Sequence, residues 1–141
     1  MYMSRISFKT MCVEHYANHT EKNGNEVYAL FYEKGLLFHL DSDYDDLHSM
    51  SIPFLMHYFD EYLNISNPPK NCSRSYHPEY YSIIVAETAK LIVDKFSVSE
   101  DKALDMFYRS ITADCLYDPE CGLYGQSALY IFSVFLSQHD E

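Results

Sequence analysis

The amino-acid sequence predicts an all-α protein made of two tandem helical units packed into one compact domain. Apolar residues recur at spacings of three and four far more often than they alternate, which is typical of helices that pack by one face. Only 4 of the 141 residues are glycine. With 48% hydrophobic and 16% aromatic residues, the chain is too apolar for a disordered acidic tail. We therefore expect a folded core.

Net charge limits the classes of partner. The chain carries 21 acidic and 10 basic side chains, for a formal charge of -11. Neither half is a basic module, because residues 1–70 sum to -5 and residues 71–141 to -6. Such a chain cannot neutralise many phosphates, so we expect no direct binding to nucleic acid or to an anionic membrane. A protein with a basic surface is the partner class that this charge favours.

The N-terminal residues and the apolar runs predict a cytoplasmic location. Residues 1–11 lack the apolar core of a signal peptide. The longest apolar stretch, residues 128–136, is far shorter than a membrane span. The four cysteines, at positions 12, 72, 115 and 121, show no Cys-x-x-Cys pair. We therefore expect free thiols in a reducing compartment.

The first two predicted helices are bounded by glycine and asparagine. Residues 11–19 place an apolar stripe on a first helix, which Asn23-Gly24 can end with a left-handed residue. Asn25 is then positioned to cap a second helix of about ten residues that stops at Gly35. Residues 36–40 predict a short turn, and the aspartates within residues 41–46 predict an acidic, turn-prone crossing.

The third predicted helix begins at Ser51 as its cap, with Pro53 in the first turn, and runs to Leu63. Residues 64–78 contain Asn-Pro-Pro and His-Pro, which are incompatible with a continuing helix, and so predict a linker. The predicted units are therefore residues 1–63 and 79–141.

A repeat relates the two predicted units. The apolar pattern of the first helix recurs 73 positions later, and from Phe31 onward the offset is 76 without a gap. The helix caps and apolar faces coincide in the same register, which favours a duplication. The identical pairs at the second offset are Phe31/Phe107, Tyr32/Tyr108, Leu40/Leu116, Leu47/Leu123, Ser51/Ser127 and Phe59/Phe135.

Two groups of residues resemble metal sites without completing one. His15 and His19 have a spacing that can hold zinc, but His-Glu-x-x-His is absent and both lie on the apolar stripe, which favours structural histidines. Residues 41–46 begin like a calcium loop, yet Asp46 and Ile52 stand where that loop needs Gly and Glu. We expect no metal, and we interpret the aspartates as a solvated turn or a contact for a basic partner.

No catalytic constellation is evident. Residues 122–127 contain two glycines but lack the lysine of a phosphate-binding loop, so we expect no nucleotide cofactor. Cys115 and Cys121 have no cationic neighbour in sequence that would favour a thiolate. An enzyme would require His39, His48, Cys115 or Asp118 to converge in a pocket, and no pattern predicts this.

Two segments resemble a short bacterial helical family of unknown function, whose hallmark is Tyr-Asp-x-Leu-His-Thr. The first is residues 26–37 followed by Tyr44-Asp-Asp-Leu-His-Ser, where Ser49 stands for the hallmark Thr and the region of Ser51 replaces the Gly that follows. The second is the segment from Leu116 to Ser127, which is similar to one found in a subgroup of that family. The resemblance covers about residues 8–63 and 81–138.

The resemblance implies which genes lie beside this one, but it implies no catalytic activity. Genes of that family often lie in small operons beside a protein similar to an ADP-ribosyltransferase-type toxin, which implies an antitoxin or an accessory partner. The partner-binding residues it implies are the inter-helix motifs, although Tyr44, Leu47, Leu123 and Tyr124 could equally pin these loops to the core. The motif residues are Tyr44, Asp45, Leu47, His48, Asp118, Gly122, Leu123 and Tyr124.

Two functions are therefore expected. The first is a non-enzymatic protein-interaction module that restrains or assists a partner encoded nearby. The alternative is a phage-type acidic mimic of nucleic acid that inhibits a defence nuclease by occupying its basic groove. Clustered surface carboxylates would favour the alternative.

Overall fold

A computed structural model describes residues 4–65 and 75–139 of the chain. Every regular element in these ranges is helical, which confirms the all-α class. The chain divides into two compact units, Met1–Ser82 and Ile83–Glu141. The helices are α1 (Arg5–Thr20), α2 (Gly24–Glu33), α3 (Leu36–Ser42), α4 (Tyr44–Leu47), α5 (Ile52–Leu63), α6 (Pro78–Phe96), α7 (Glu100–Tyr108), α8 (Ile111–Tyr117) and α9 (Ala128–His139).

The first unit holds α1 to α5 and the first turn of α6. Its core centres on three aromatic rings contributed by α1, α2 and α5. The Tyr16 ring lies 5.6 Å from Phe31 and 5.8 Å from Phe59, and the latter two rings lie 5.3 Å apart. All three residues are fully buried. Rings at these distances add edge-to-face attraction to the burial of apolar surface.

The second unit holds the rest of α6 with α7, α8 and α9. Its core contains Phe107 and Phe135, whose ring centroids lie 6.4 Å apart. These residues correspond to Phe31 and Phe59 at the offset of 76, and the equivalent pairs Leu40/Leu116, Leu47/Leu123 and Leu55/Ile131 are also buried. A duplicated unit would show this agreement in burial.

Serine caps and a glycine stop bound several helices as predicted. The Ser51 hydroxyl accepts a hydrogen bond from the Phe54 amide at the start of α5. The Ser127 hydroxyl does the same for the Tyr130 amide in α9. Gly35, with φ of +76°, separates α2 from α3. These residues satisfy backbone groups that helix ends leave without partners.

The predicted ends of the first two helices are wrong by a few residues. The left-handed residue that ends α1 is Glu21, with φ of 57°, and not Asn23-Gly24. Asn23 takes the cap position of α2, so Gly24 is its first residue and Asn25 lies inside the helix. Intrinsic propensity favours glycine at a left-handed position, but Glu21 occupies that position here. Its backbone amide donates to the carbonyl oxygens of Ala17 and Asn18 in the last turn of α1.

The segment 41–46 is more helical than predicted. Asp41 lies in α3, and Asp45 and Asp46 form the first turn of α4. Acidic residues are favourable in a first helical turn, since the helix dipole is positive there. The prediction of a simple acidic turn was therefore wrong.

The predicted linker, residues 64–78, lies largely outside the described residues. Asn64 ends α5 in a left-handed conformation, and α6 already begins at Pro78. Cys72 is among the residues not described. None of the helices in the described ranges is both long and apolar enough to cross a membrane.

Candidate interaction site

The first predicted motif centres on Tyr44, which is 3% exposed. The Phe8 ring meets the Tyr44 ring edge-on at 5.6 Å. The Arg5 guanidinium lies 4.6 Å from the same ring, in a cation–π contact. Leu47, one turn later, is also buried. These two residues therefore pin α4 to α1 and the core.

His48 and Asp45 are the motif residues that reach the surface. The His48 ring stacks on Tyr44 at 4.5 Å, and His48 Nδ1 lies 2.7 Å from the Tyr44 carbonyl oxygen. These contacts hold the imidazole in one orientation at the end of α4. Asp45 is exposed and accessible to a partner.

An ion-pair cluster beside this motif was not anticipated. Lys9 is only 5% exposed, and its Nζ lies 2.7 Å from Asp41 Oδ2. Arg5 Nη1 donates to the Asp41 carbonyl oxygen at 2.7 Å. Asp41 thus lies in α3 and pairs with the cations of α1, with its side chain 33% exposed. The sequence signal for this cluster is the pair Arg5 and Lys9, four residues apart on a helix, together with the acidic segment 41–46.

The second predicted motif forms an ordered loop between α8 and α9, here called the 118–127 loop. Leu123 is buried at 4% exposure, whereas Tyr124 is 44% exposed. Gly122 and Gly125 have φ of +81° and +88°, a region that favours glycine. Asp118 accepts a hydrogen bond from the Glu120 amide through its Oδ1 at 3.0 Å. The buried Leu123 side chain therefore anchors this loop, and the Tyr124 ring is exposed to solvent.

Cys115 and Cys121 form a disulfide at the base of this loop. The expectation that these two thiols are free is therefore wrong, because the turn through Asp118 and Pro119 brings their Cα atoms within 5.4 Å. The bridge also removes Cys115 from the possible nucleophiles. Cys12 remains a thiol, and burial raises its pKa well above the usual value.

His15 and His19 do not share a ligand. His19 Nε2 lies 2.9 Å from Asp60 Oδ2 in α5, while His15 Nε2 lies 3.8 Å from Glu79 Oε1 in α6. Burial lowers the pKa of His15, and the Glu79 carboxylate partly opposes that change. Across residues 4–65 and 75–139, no three His, Cys, Asp or Glu side chains cluster as a metal site would require.

Two buried polar contacts were invisible at the sequence level. The Tyr16 hydroxyl donates to Asp60 Oδ1 at 2.8 Å, and burial with this bond raises the pKa of Tyr16. Glu14 is fully buried, and Tyr76, 62 positions later, donates to its Oε1 at 2.5 Å. Both pairs join residues far apart in sequence, so no local pattern could have found them.

Exposed apolar side chains directly follow the 118–127 loop. Leu129 and Tyr130, in the first turn of α9, are 69% and 50% exposed. With Tyr124 they place three large apolar side chains within seven residues of one another along the chain. Aromatic residues are enriched in protein interfaces, where their area is gained at little conformational cost.

The structure therefore defines a helical protein whose first motif forms the short helix α4 and whose second motif is the loop between α8 and α9, each with buried and exposed residues. Residues 7–64 match the model of a family described as a protein of unknown function, DUF3791. The matched segment begins in α1 and ends at the residue after α5. Neither the curated proteins nor the solved structures contain a match to this chain.

Proposed function

We propose that this chain is a non-enzymatic protein-interaction module that binds a partner with a basic surface. The observation that carries the proposal is the 118–127 loop, which presents Tyr124 among exposed carboxylates on a braced backbone. The motif of α4 offers Asp45 and His48 in the first unit as a further contact of the same chemical kind.

The bracing of the loop favours binding. The disulfide closes its base, buried Leu123 anchors its middle, and the Gln126 amide donates to the Leu123 carbonyl oxygen at 3.1 Å. A loop that is already ordered loses less conformational entropy when a partner binds. When a partner buries the Tyr124 ring, little of the free energy gained is therefore lost to ordering the loop.

The charges beside Tyr124 favour a basic partner. Asp118 and Glu120 are exposed, and the second half of the chain sums to -6. Carboxylates at the rim of an interface accelerate association with a basic surface and exclude acidic partners. Aromatic residues are enriched at the centres of interfaces, and interface rims are polar and solvent-accessible.

The sequence resemblance narrows the partner further. We infer an ADP-ribosyltransferase-like protein encoded in the same operon, with this chain acting as its antitoxin or accessory subunit. A nucleotide-binding cleft of such a protein is basic, and the acidic loop is complementary to that charge.

Affinity purification of the tagged full chain from its own host, followed by mass spectrometry, tests this function. We expect one stoichiometric partner encoded next to this gene. Tyr124→Ala should reduce its recovery about tenfold, the effect of losing roughly 1.4 kcal/mol at a hot spot. Tyr32→Ala is the matched control, because Tyr32 is a 58% exposed tyrosine of α2 in the other unit.

Other outcomes would reject the proposal. Recovery of a nuclease would favour the nucleic-acid mimic, and recovery of the chain alone would reopen a catalytic or small-molecule role. Equal loss with Tyr124→Ala and Tyr32→Ala would show that the 118–127 loop is not the contact.

A further inference from the structure

A cavity of about 350 Å³ opens within the second unit between α7, α8 and α9. Its volume falls in the range of small-molecule sites. Met106, Ile111 and Phe135 form the apolar part of its lining. The polar part comes from the turn between α7 and α8, the first turn of α8 and the last turn of α9. The polar lining residues are Arg109, Ser110, Thr112 and Gln138.

The first unit has a tyrosine at the corresponding place. At the offset of 76, Gln138 corresponds to Tyr62, and the cavity residue Phe135 corresponds to Phe59. The Tyr62 hydroxyl donates to the Lys34 carbonyl oxygen at 3.1 Å, in the two-residue turn between α2 and α3. It also lies 3.8 Å from the position that a Cβ would take on Gly35. The phenol of Tyr62 thus bridges α5 to that turn.

The second unit cannot make this bridge with its own side chain. Gln138 has no ring, and its Oε1 accepts a hydrogen bond from the hydroxyl of buried Thr112 instead. The turn between α7 and α8, Arg109 and Ser110, is also two residues long and lines the cavity. In the register of the repeat, the cavity therefore lies at the position that corresponds to the phenol of Tyr62.

We propose that this cavity is a binding site for a phenol, supplied either as a free small molecule or as a tyrosine side chain of a partner protein. The ring would contact Phe135, Met106 and Ile111, and the hydroxyl would donate to a backbone carbonyl of the Arg109–Ser110 turn. The proposal rests on the comparison of the two units and stands independently of the proposed function.

The charges at the cavity favour a neutral ligand. Arg109 is the cation of the lining, and its Nε already lies 2.7 Å from Asp105 Oδ1. A carboxylate or phosphate ligand would have to compete with that ion pair in an acidic unit. A phenol needs only an apolar wall, an aromatic neighbour and one acceptor.

Titration of the ¹⁵N-labelled full chain with p-cresol, the side-chain analogue of tyrosine, tests the site. We expect saturable shifts of the amide signals of Met106, Ile111 and Thr112. Toluene has the same shape without the hydroxyl and should bind about fivefold more weakly, the effect of one lost hydrogen bond. Stronger binding of N-acetyl-tyrosine amide would assign the site to a protein side chain, and binding of p-cresol alone would assign it to a free phenol.

Three variants distinguish binding in this cavity from unspecific binding. Gln138→Tyr supplies the phenol from the chain itself and should weaken p-cresol binding at least about tenfold. Ser137→Tyr adds the same side chain at the neighbouring exposed position of α9 and should leave binding unchanged. Tyr62→Gln should create a second p-cresol site in the first unit.

The contradicting results are equally definite. No saturable shift with p-cresol and with N-acetyl-tyrosine amide would overturn the proposal, as would unchanged binding in folded Gln138→Tyr. If circular dichroism shows that Tyr62→Gln does not fold, the comparison of Gln138→Tyr with Ser137→Tyr decides the question alone.

Discussion

Asp60 connects α5 to α1 through two side chains. One carboxylate oxygen of Asp60 accepts a hydrogen bond from the Tyr16 hydroxyl, and the other lies within hydrogen-bond distance of His19 Nε2. The Asp60 side chain is only 14% exposed. Removing an acceptor from a buried hydroxyl costs more than the net value of the bond, because the donor is left without a partner and without water. This carboxylate is therefore a stabilising residue of the first unit.

We predict that Asp60→Ala lowers the free energy of unfolding by about 1 to 3 kcal/mol. The measurement is urea unfolding at neutral pH. Glu61→Gln is the matched control, because the neighbouring carboxylate and its partner His57 are 71% and 72% exposed. An exposed pair contributes at most about 1 kcal/mol. Equal effects of the two substitutions would contradict the role of Asp60.

His15 makes stability depend on pH. Burial lowers its pKa from the ordinary 6.5, with the Glu79 carboxylate opposing in part. As the pH falls below about 6.5, the unfolded chain takes up a proton that the folded chain resists, so the free energy of unfolding decreases. We predict that His15→Gln loses less stability than the parent chain between pH 7.5 and pH 5.5, as measured by urea unfolding.

The control for this prediction is Ser137→Gln, which changes an exposed residue of α9 and no titratable group. Its pH dependence should match that of the parent chain. If His15→Gln also matches the parent chain, His15 does not resist protonation in the folded state.

At the scale of elements, the disulfide governs the connection between α8 and α9. Cys115 and Cys121 are six positions apart, and closing so short a loop stabilises a fold by about 2 kcal/mol in the chain-entropy account. We predict that reduction lowers the free energy of unfolding by up to that amount. The measurement is denaturant unfolding with and without a phosphine reductant.

The matched control replaces both bridge cysteines by serine. Reductant should then have no effect on unfolding, because the bridge that it cleaves in the parent chain is absent. An unchanged stability of the parent chain in reductant, or an equal loss in the doubly substituted chain, would contradict the stabilising role of the bridge.

Local signals predicted the helices better than the contacts between them. Ser51, Pro53 and Leu63 gave the bounds of α5, since capping and proline chemistry act within a few residues. The end of α1 was misplaced because Glu21 adopts a conformation that sequence favours for Gly24. The disulfide and the Tyr16–Asp60 bond depend on the fold bringing side chains together, which no spacing rule could supply.

The sequence predicted where the candidate motifs lie along the chain, but not which of their side chains are buried. The positions of the motifs along the chain followed from the helix pattern and the sequence resemblance, although the first motif forms the short helix α4. Burial then separates Tyr44, Leu47 and Leu123, which anchor, from Tyr124 and Asp45, which are presented. For Leu123 and Tyr124 the alternation of buried and exposed residues in a loop has no fixed period, so the sequence left both interpretations open.

At the scale of the whole molecule, a charge of -11 should control partner binding. Salt screens charges that remain in contact with water, and screening slows electrostatically steered association. We predict that raising the sodium chloride concentration from about 0.05 to 0.5 M weakens binding of the partner about tenfold or more, chiefly through the association rate. Surface plasmon resonance measures this.

Neutralising the loop should reduce that salt dependence. Asp118→Asn with Glu120→Gln removes two exposed carboxylates beside Tyr124, whereas Glu33→Gln, at an exposed position of α2, is the control. An equal salt dependence for the parent chain and the loop variant would place the electrostatic contact elsewhere.

Hydrogen–deuterium exchange of the full chain, free and bound to the protein that co-purifies with it, tests the central claim most directly. A partner contact at the 118–127 loop predicts slower exchange of the loop amides and of the first turn of α9 in the complex. Protection confined to other residues, with the loop exchanging as fast in the complex as in the free chain, would contradict the claim.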